Sequence, residues 1–387
     1  MDECHVIEPR PIKILHVITG LSTGGAETML LKLMQSMDEK RFDNRVVSLT
    51  SIGTVGPAIE AAGIRVMALD MRRGIPHPLG LWRLWRTIRR EQPDIVQTWM
   101  YHADLLGLVA ARLAGRAKVI WNLRCSFMGE EYYRGMTGAL IRVLARLSSN
   151  PTAVIVNSET GRTLHKSRGY GPKRWAMLPN GFDTERFHPD VSARQKIRAE
   201  IGAAEATPLI GLVARFDLVK GYDTFLTAAG RLATIDPDVQ FVMVGNGFSA
   251  DNSTLSDIVP TNLQDRLHLL GERGDIPALM AALDIVTCAS IGEGFPNVVG
   301  EAMACGALCV VTDVGDCRAI VGNDGFVVPP SDAAAMAQTW ADVLSLPKKK
   351  RRSIAENGRQ RIATEYSLGS IVEQYQSLYS ELTGFVS

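Results

Sequence analysis

The sequence has almost no net charge. Its 42 Lys and Arg stand against 41 Asp and Glu, leaving +1 with histidine neutral. No global field argues for wrapping nucleic acid, so partners must be sought at local sites. Long apolar runs are also missing: nothing approaches the roughly 20 consecutive apolar residues of a membrane helix. The opening MDECHVIEPRP is acidic and poor in apolar side chains, and is not expected to act as a signal peptide. Cysteine is sparse, at Cys4, Cys125, Cys288, Cys305, Cys309 and Cys317. That pattern has neither the Cys-x-x-Cys pairs of a zinc site nor the density of a secreted disulfide scaffold. These residues are read as reduced, mostly buried thiols, and the cytoplasm is the expected compartment.

What is present is a chain of 387 residues, 46% hydrophobic and 21% charged, too long for one comfortable core. Short β-rich runs alternate with helix-prone stretches. The first series is IKILHVIT (12–19), RVVSLT (45–50), IRVMALD (64–70), DIVQTW (94–99), KVIWNLR (118–124) and AVIVNS (153–158). A second series follows: PLIGLVAR (208–215), VQFVMVG (239–245), LHLLG (267–271), DIVTCAS (284–290) and LCVVTDV (308–314). This reads as βαβ units on parallel sheets, and two doubly wound sheets are more economical than one of eleven strands. The turn-rich LPNGFDTERFHPD (178–190) marks the boundary, giving expected domains at 1–187 and 188–367. PKKKRRS (347–353) is read as a solvated loop or helix start.

Ligands of doubly wound folds lie beyond the carboxyl ends of strands, so the residues that follow strands matter most. After the first strand, GLSTGGAE (20–27) offers a glycine turn into a helix, whose free N–H groups suit a phosphate or carbonyl oxygen. Its spacing is not Gly-x-Gly-x-x-Gly, which disfavours a nicotinamide dehydrogenase and leaves a merely tight turn as the alternative. VARFDLVKGYD (213–223) carries Arg215 and Lys220, two cations able to neutralise a diphosphate or, taken alone, simple surface charge. VGNGF (244–248) reads equally as a ligand turn or an ordinary one. EGFPNVVGEAMACG (293–306) places Glu293 before a helix and Glu301 inside it, with Phe295 and Pro296 forming the turn. Pro296 suits the first helical turn. Backbone N–H groups near Asn297 and Val298 would face a phosphate, while the carboxylates could accept from vicinal sugar hydroxyls. Standing alone, the segment reads better as a helix start with one acidic residue favouring the dipole.

Taken in order, GGAE, NGFDTERF, ARFDLVKG and the E-x7-E segment resemble the GT-B glycosyltransferases of family 4, across nearly the whole chain. The resemblance implies two Rossmann-like doubly wound α/β domains facing a cleft, with a C-terminal helix, 368–387, packing back on the first and NGFDTERF acting as hinge. It implies a retaining, nucleotide-sugar-dependent transferase. In that reading Glu293 contacts the donor sugar and Glu301 the ribose, while Arg215 and Lys220 bind the diphosphate. Gly24 and Gly25 lie on the donor side, and Arg273, in GERGDIPALM, is the candidate near the nucleobase. His102 aligns with an active-site histidine and Arg124 with a basic position facing acceptor or leaving group; Cys125 departs from the polar or histidine neighbour expected there.

The leaving diphosphate would act as base for the acceptor hydroxyl. No cofactor is implied. No metal is expected, since the Asp236-Pro-Asp238 motif precedes a strand and so lies at the wrong end of the sheet. A UDP-sugar is favoured over a GDP-sugar, and the acceptor is expected to be a saccharide or lipid-linked saccharide of cell-surface synthesis. LWRLWRTIRR (81–90) puts Leu81, Leu84, Trp85 and Ile88 on one helical face and Arg83, Arg86 and Arg90 opposite. Packing with a solvated basic face is the simpler reading, and peripheral contact with an anionic membrane is the other. A nucleotide-sugar epimerase of the same fold and a non-catalytic nucleotide-sugar binder stay open as alternatives.

Overall fold

The computed structural model describes residues 10–72, 78–115, 117–125 and 135–384. The chain divides into two compact units, one formed by Met1–Pro179 with Leu368–Ser387 and the other by Asn180–Ser367. The first unit holds strands β1 (Ile12–Ile18), β2 (Phe42–Ser48), β3 (Arg65–Ala68), β4 (Ile95–Trp99), β5 (Lys118–Leu123), β6 (Ala153–Val156) and β7 (Trp175–Met177). They form one sheet in the order β3-β2-β1-β4-β5-β6-β7, every neighbour parallel. The second holds β8 (Leu209–Val213), β9 (Gln240–Val244), β10 (Leu267–Leu269), β11 (Ile285–Cys288), β12 (Leu308–Thr312) and β13 (Phe326–Val328). Its order is β10-β9-β8-β11-β12-β13, again all parallel. Both are doubly wound. The order reverses between β1 and β4 in one and between β8 and β11 in the other, and that switch is where such sheets bind ligands.

The central strands are mostly apolar because they bury both faces, whereas β2 carries half-buried Asp43, Asn44 and Arg45 and the edge strands are only partly covered. On β1, Ile12, Ile14 and Ile18 enter one core while Leu15 and Val17 enter the core on the opposite face. On β8, Leu209 faces one helical layer, and Ile210 and Leu212 face the other. The C-terminal helix Leu368–Thr383 presents Ile371, Val372, Tyr375, Leu378 and Tyr379, a stripe at helical spacing, to the core that β1 shares with Met29 and Leu33.

The three-residue edge strands β7 and β13 escape the sequence reading; β10 is as short, but LHLLG carries its apolar run beyond the strand. Pro296 is the N-cap of the helix Asn297–Ala304 rather than part of its first turn. The basic 347–353 run opens the helix Lys348–Glu365. Asp236 and Asp238 precede β9, at the end of the sheet away from its carboxyl edge.

Candidate functional site

In the second unit, the loops after β8 and β11 enclose a cavity of about 260 Å³ lined by Lys220, Ser290, Glu293, Phe295, Pro296, Asn297 and Val298, with Cys288 at its wall. Lys220 reaches it because the chain turns sharply at Gly221, whose φ is +63°. A Cβ there would overlap the carbonyl oxygen of Ala289, so the turn requires glycine. Ile291 N–H donates to the Val219 carbonyl at 2.9 Å and ties the two loops together. Lys220 Nζ then lies 2.6 Å from Glu293 Oε1, which also accepts from Ser290 Oγ at 2.7 Å. The pair is largely withdrawn from water, with side-chain exposures of 26% and 13%. Two half-desolvated charges with a helix start beside them suit a ligand that carries anionic and hydroxyl groups together.

The helix beside the pair has no side-chain cap; Val299 N–H donates to the Pro296 carbonyl at 3.2 Å, and the N–H groups of Asn297 and Val298 ahead of it have no intrahelical acceptor. Its position is set from the NGF segment. Asn180 Nδ2 donates to Asn297 Oδ1 at 2.6 Å, and the Phe182 ring stacks on Phe295 with centroids 6.0 Å apart. Gly300 gives that ring its space, for a Cβ at Gly300 would lie inside it. On the other side Asp316 N–H donates to the Gly294 carbonyl at 2.9 Å.

Three residues singled out from the sequence do not line this cavity. Arg215 points outward, 74% exposed, with its guanidinium 3.6 Å from Asp217. Glu301 is half-buried and sits one turn into the helix, on the same face as Asn297. Arg273 is held between Glu200 and Asp275, the latter at 2.7 Å, so its charge is already neutralised by two carboxylates.

In the first unit, Gly24 is the N-cap of the helix Gly25–Ser36, and the Glu27 carboxylate folds back over it where any side chain would collide. Burial raises the Glu27 pKa. His102 is the second residue of the helix Tyr101–Ala114 after β4, half-buried, and desolvation lowers its pKa so that the ring favours the neutral form. The residue between strand and helix, Met100, has φ 70° and ψ 165°, a region almost confined to glycine. Several contacts hold it there: its N–H donates to the Asn122 carbonyl at 3.2 Å, and its sulfur accepts from Arg124 N–H at 3.3 Å. Arg124 Nη1 donates to Tyr375 Oη at 3.0 Å, and the guanidinium lies over the Trp99 ring. His102 and Arg124 thus flank one strained corner at the carboxyl ends of β4 and β5.

Residues 23–186 match the family model described as Glycosyltransferase Family 4, and residues 207–345 match Glycosyl transferases group 1. The chain belongs to the family 4, group 1 glycosyltransferases. An Escherichia coli relative, UDP-Gal:alpha-D-GlcNAc-diphosphoundecaprenol alpha-1,3-galactosyltransferase, is 25% identical over 383 residues, covering 96% of this chain and 97% of that protein. A GDP-mannose-dependent alpha-(1-6)-phosphatidylinositol monomannoside mannosyltransferase of Mycolicibacterium smegmatis is 29% identical, covering 74% of this chain and 77% of the relative. Among solved structures, Anabaena HepE in complex with UDP shares the fold with a TM-score of 0.84 at 24% identity, covering 96% of this chain and all of that one.

Within this glycosyltransferase, three site features were not singled out from the sequence. Glu27 carries a readable signal, an acid in the first turn behind two glycines. Ser290, which fixes Glu293, is an ordinary serine after a strand. Nothing in the sequence marks Met100, since a positive φ normally announces itself through glycine or asparagine.

Proposed function

We propose that this glycosyltransferase moves a sugar from a UDP-sugar to a saccharide or lipid-linked saccharide acceptor, with retention of anomeric configuration and without a metal ion. The observation that carries the reading is the Lys220–Glu293 pair in a cavity at the switch point of the second sheet, beside an uncapped helix start. In this assignment Lys220 meets the diphosphate together with the N–H groups of Asn297 and Val298, Arg215 joining them by turning inward from its exposed position, and these stabilise the negative charge that grows as the anomeric bond breaks. Phe295 and Pro296 wall the pocket. Glu293 accepts from the sugar hydroxyls and Glu301 from the ribose. Arg273, already neutralised, shapes the base loop rather than supplying charge. A lysine where a metal cation would otherwise neutralise the diphosphate favours a metal-free mechanism, as does the placement of Asp236 and Asp238 at the opposite end of the sheet.

From the first unit we assign His102 to the transferred sugar, Gly24 and Gly25 to the diphosphate side and Arg124 to the acceptor or leaving group. The acceptor hydroxyl attacks from the face the diphosphate leaves, and a diphosphate oxygen takes its proton. Uridine is favoured over guanosine because the near-full-length Escherichia coli relative is named for UDP-Gal and HepE was solved with UDP and with UDP-glucose. The lipid-linked acceptor is supported by the diphosphoundecaprenol and phosphatidylinositol acceptors in relatives' names. No helix among the described residues is long and apolar enough to cross a membrane. A cytoplasmic location with peripheral contact at the inner membrane face is proposed from the relatives' lipid-linked acceptors, the Pro78–Glu91 helix offering exposed Leu79 and Trp82 with Arg86 over the Trp82 ring.

A thermal-shift panel of UDP-, GDP- and ADP-sugars and NAD, with EDTA present, on wild type, Lys220→Ala and Glu301→Ala tests the reading. A UDP-sugar shift lost in both variants supports it; a shift with NAD alone, or equal shifts in all three proteins, overturns the site. Product analysis without acceptor separates transfer from epimerisation.

A further inference from the structure

Cys288 closes β11, Cys317 opens the short helix Cys317–Val321 after β12, and their sulfurs lie 4.0 Å apart. Both are free thiols and neither has a role in the chemistry above. Cys288 lines the donor cavity, whereas Cys317 sits behind it, out of contact with solvent. The loops carrying them cannot drift apart, since Thr312 Oγ1 donates to the Ser290 carbonyl at 2.6 Å and Asp316 N–H to the Gly294 carbonyl at 2.9 Å. Among the described residues, the other free cysteines lack this arrangement: Cys305 and Cys309 donate to backbone carbonyls, and Cys125 lies in the other unit.

We propose that Cys288 and Cys317 form an oxidisable dithiol in the wall of the donor pocket, which a small peroxide entering that pocket converts to a disulfide that weakens nucleotide binding. The Cys288 sulfur attacks one oxygen of hydrogen peroxide, the O–O bond breaks, and a sulfenic acid and one water result. The Cys317 sulfur then attacks the Cys288 sulfur and displaces the hydroxyl. That hydroxyl leaves as a second water with the Cys317 proton. Two thiols are oxidised and one peroxide is reduced.

The asymmetry of the pair fits these roles. The Cys317 thiol lowers the pKa of Cys288, while Cys317 itself is held well above the usual thiol range. The reactive sulfur is the one facing the pocket, and a peroxide is small enough to enter where a protein disulfide is not. A disulfide brings the sulfurs to about 2.05 Å, so bond formation pulls the end of β11 toward the loop after β12. Ser290 and Glu293 follow Cys288 directly in the chain, and Cys288 Sγ lies 3.7 Å from Ser290 Oγ, so the displacement reaches the carboxylate paired with Lys220. The consequence for binding rests on the proposed donor site; the thiol chemistry does not.

The test treats the full chain with hydrogen peroxide, with and without UDP, then maps thiols and linked peptides by mass spectrometry and measures UDP affinity. Expected is one linked peptide joining Cys288 to Cys317, slowed by UDP, with at least a tenfold loss of UDP affinity that dithiothreitol restores. In Cys317→Ser, and in Cys317→Ala should the serine variant fold poorly, no link forms and dimedone traps the sulfenic acid at Cys288. Intact thiols at both positions, or a link that leaves UDP affinity unchanged, overturns the proposal. Should the reduced protein ignore UDP altogether, the donor assignment fails, and a missing Cys288–Cys317 peptide separately sinks the dithiol.

Discussion

Lys220 Nζ lies 2.6 Å from Glu293 Oε1, so the pocket holds against each other two groups assigned to different parts of the same ligand. A diphosphate attracts the lysine and repels the carboxylate, and a sugar's hydroxyls do the reverse of the second. The intact donor can satisfy both at once. The free nucleotide satisfies only the lysine and leaves a largely buried carboxylate without its cation, which is unfavourable. Such an exchange discriminates donor from product within the binding step.

Opposite signs follow for the two partners. Lys220→Ala is expected to weaken UDP at least tenfold and to lower kcat/KM by about 10²–10³, the usual effect of losing a charge-stabilising group. Glu293→Gln is expected to tighten UDP while lowering turnover, because lysine is released and the repelling charge is gone. Titration calorimetry with UDP, beside turnover of the donor, reads both. Weakened UDP in Glu293→Gln would mean that the carboxylate supports the diphosphate instead of competing for its lysine.

Gly300→Ala tests the brace on the pocket helix. The added methyl enters the volume of the Phe182 ring, which is 1% exposed and stacked on Phe295. Overpacking of this kind costs about 1–3 kcal/mol. Urea unfolding should show that loss, and Phe182→Leu in the same chain should recover part of it. UDP affinity should fall with Gly300→Ala, since the helix can relieve the clash only by moving at the pocket.

Stability against pH tests two buried groups of the first unit. Burial pushes the Asp104 carboxyl up to about 7, partly opposed by the Thr98 hydroxyl at 2.5 Å, and pushes the His16 ring down to about 4. Between about pH 4 and 7 folded Asp104 keeps a proton that the unfolded chain has lost, so its contribution falls as pH rises and levels off above 7. Between about pH 4 and 6.5 the unfolded chain holds a proton that folded His16 lacks, so its contribution rises with pH. His165, whose pKa burial also lowers, adds in the same direction as His16. Relative to wild type, Asp104→Asn should therefore gain stability as pH climbs from 4 to 7. His16→Gln should lose stability relative to wild type as pH climbs from 4 to 6.5. Urea midpoints at half-unit pH intervals read both slopes, and parallel curves for all three proteins would contradict the assignment.

The fold was legible because a continuously apolar strand between helix-length segments has few alternatives to a parallel sheet, as IKILHVIT and DIVTCAS illustrate. The placement of Lys220 and Glu293 was legible too, since both follow strands that flank a reversal in strand order. Side-chain directions were not. Arg215 and Lys220 look equivalent in ARFDLVKG, yet only the lysine follows the loop inward, and the Gly221 turn against Ala289 that directs it depends on a neighbour 68 positions away, as the numbering shows. Arg273, in the loop before the helix Ile276–Ala282, reads as a free cation until Glu200, at the end of the helix Val191–Glu200, reaches it. The strained corner at Met100 is fixed by contacts from β5 that no local pattern encodes.

Tyr375→Phe separates a working Arg124 from a merely structural one. The Tyr375 hydroxyl, on the C-terminal helix, accepts from Arg124 Nη1 at 3.0 Å and from buried Asn122 Nδ2 at 3.2 Å. Deleting that oxygen removes an acceptor from both, at a stability cost of about 1–3 kcal/mol. If Arg124 meets the acceptor or the leaving group, its guanidinium is also freed to turn away, and kcat should fall about five- to tenfold, roughly 1–1.4 kcal/mol in the barrier. Unchanged UDP affinity alongside that fall would put Arg124 on the acceptor, and weakened UDP would put it on the leaving group. Loss of stability with kcat intact would confine Arg124 to packing against Trp99. Loss of UDP affinity with kcat intact would place the C-terminal helix in nucleotide binding instead.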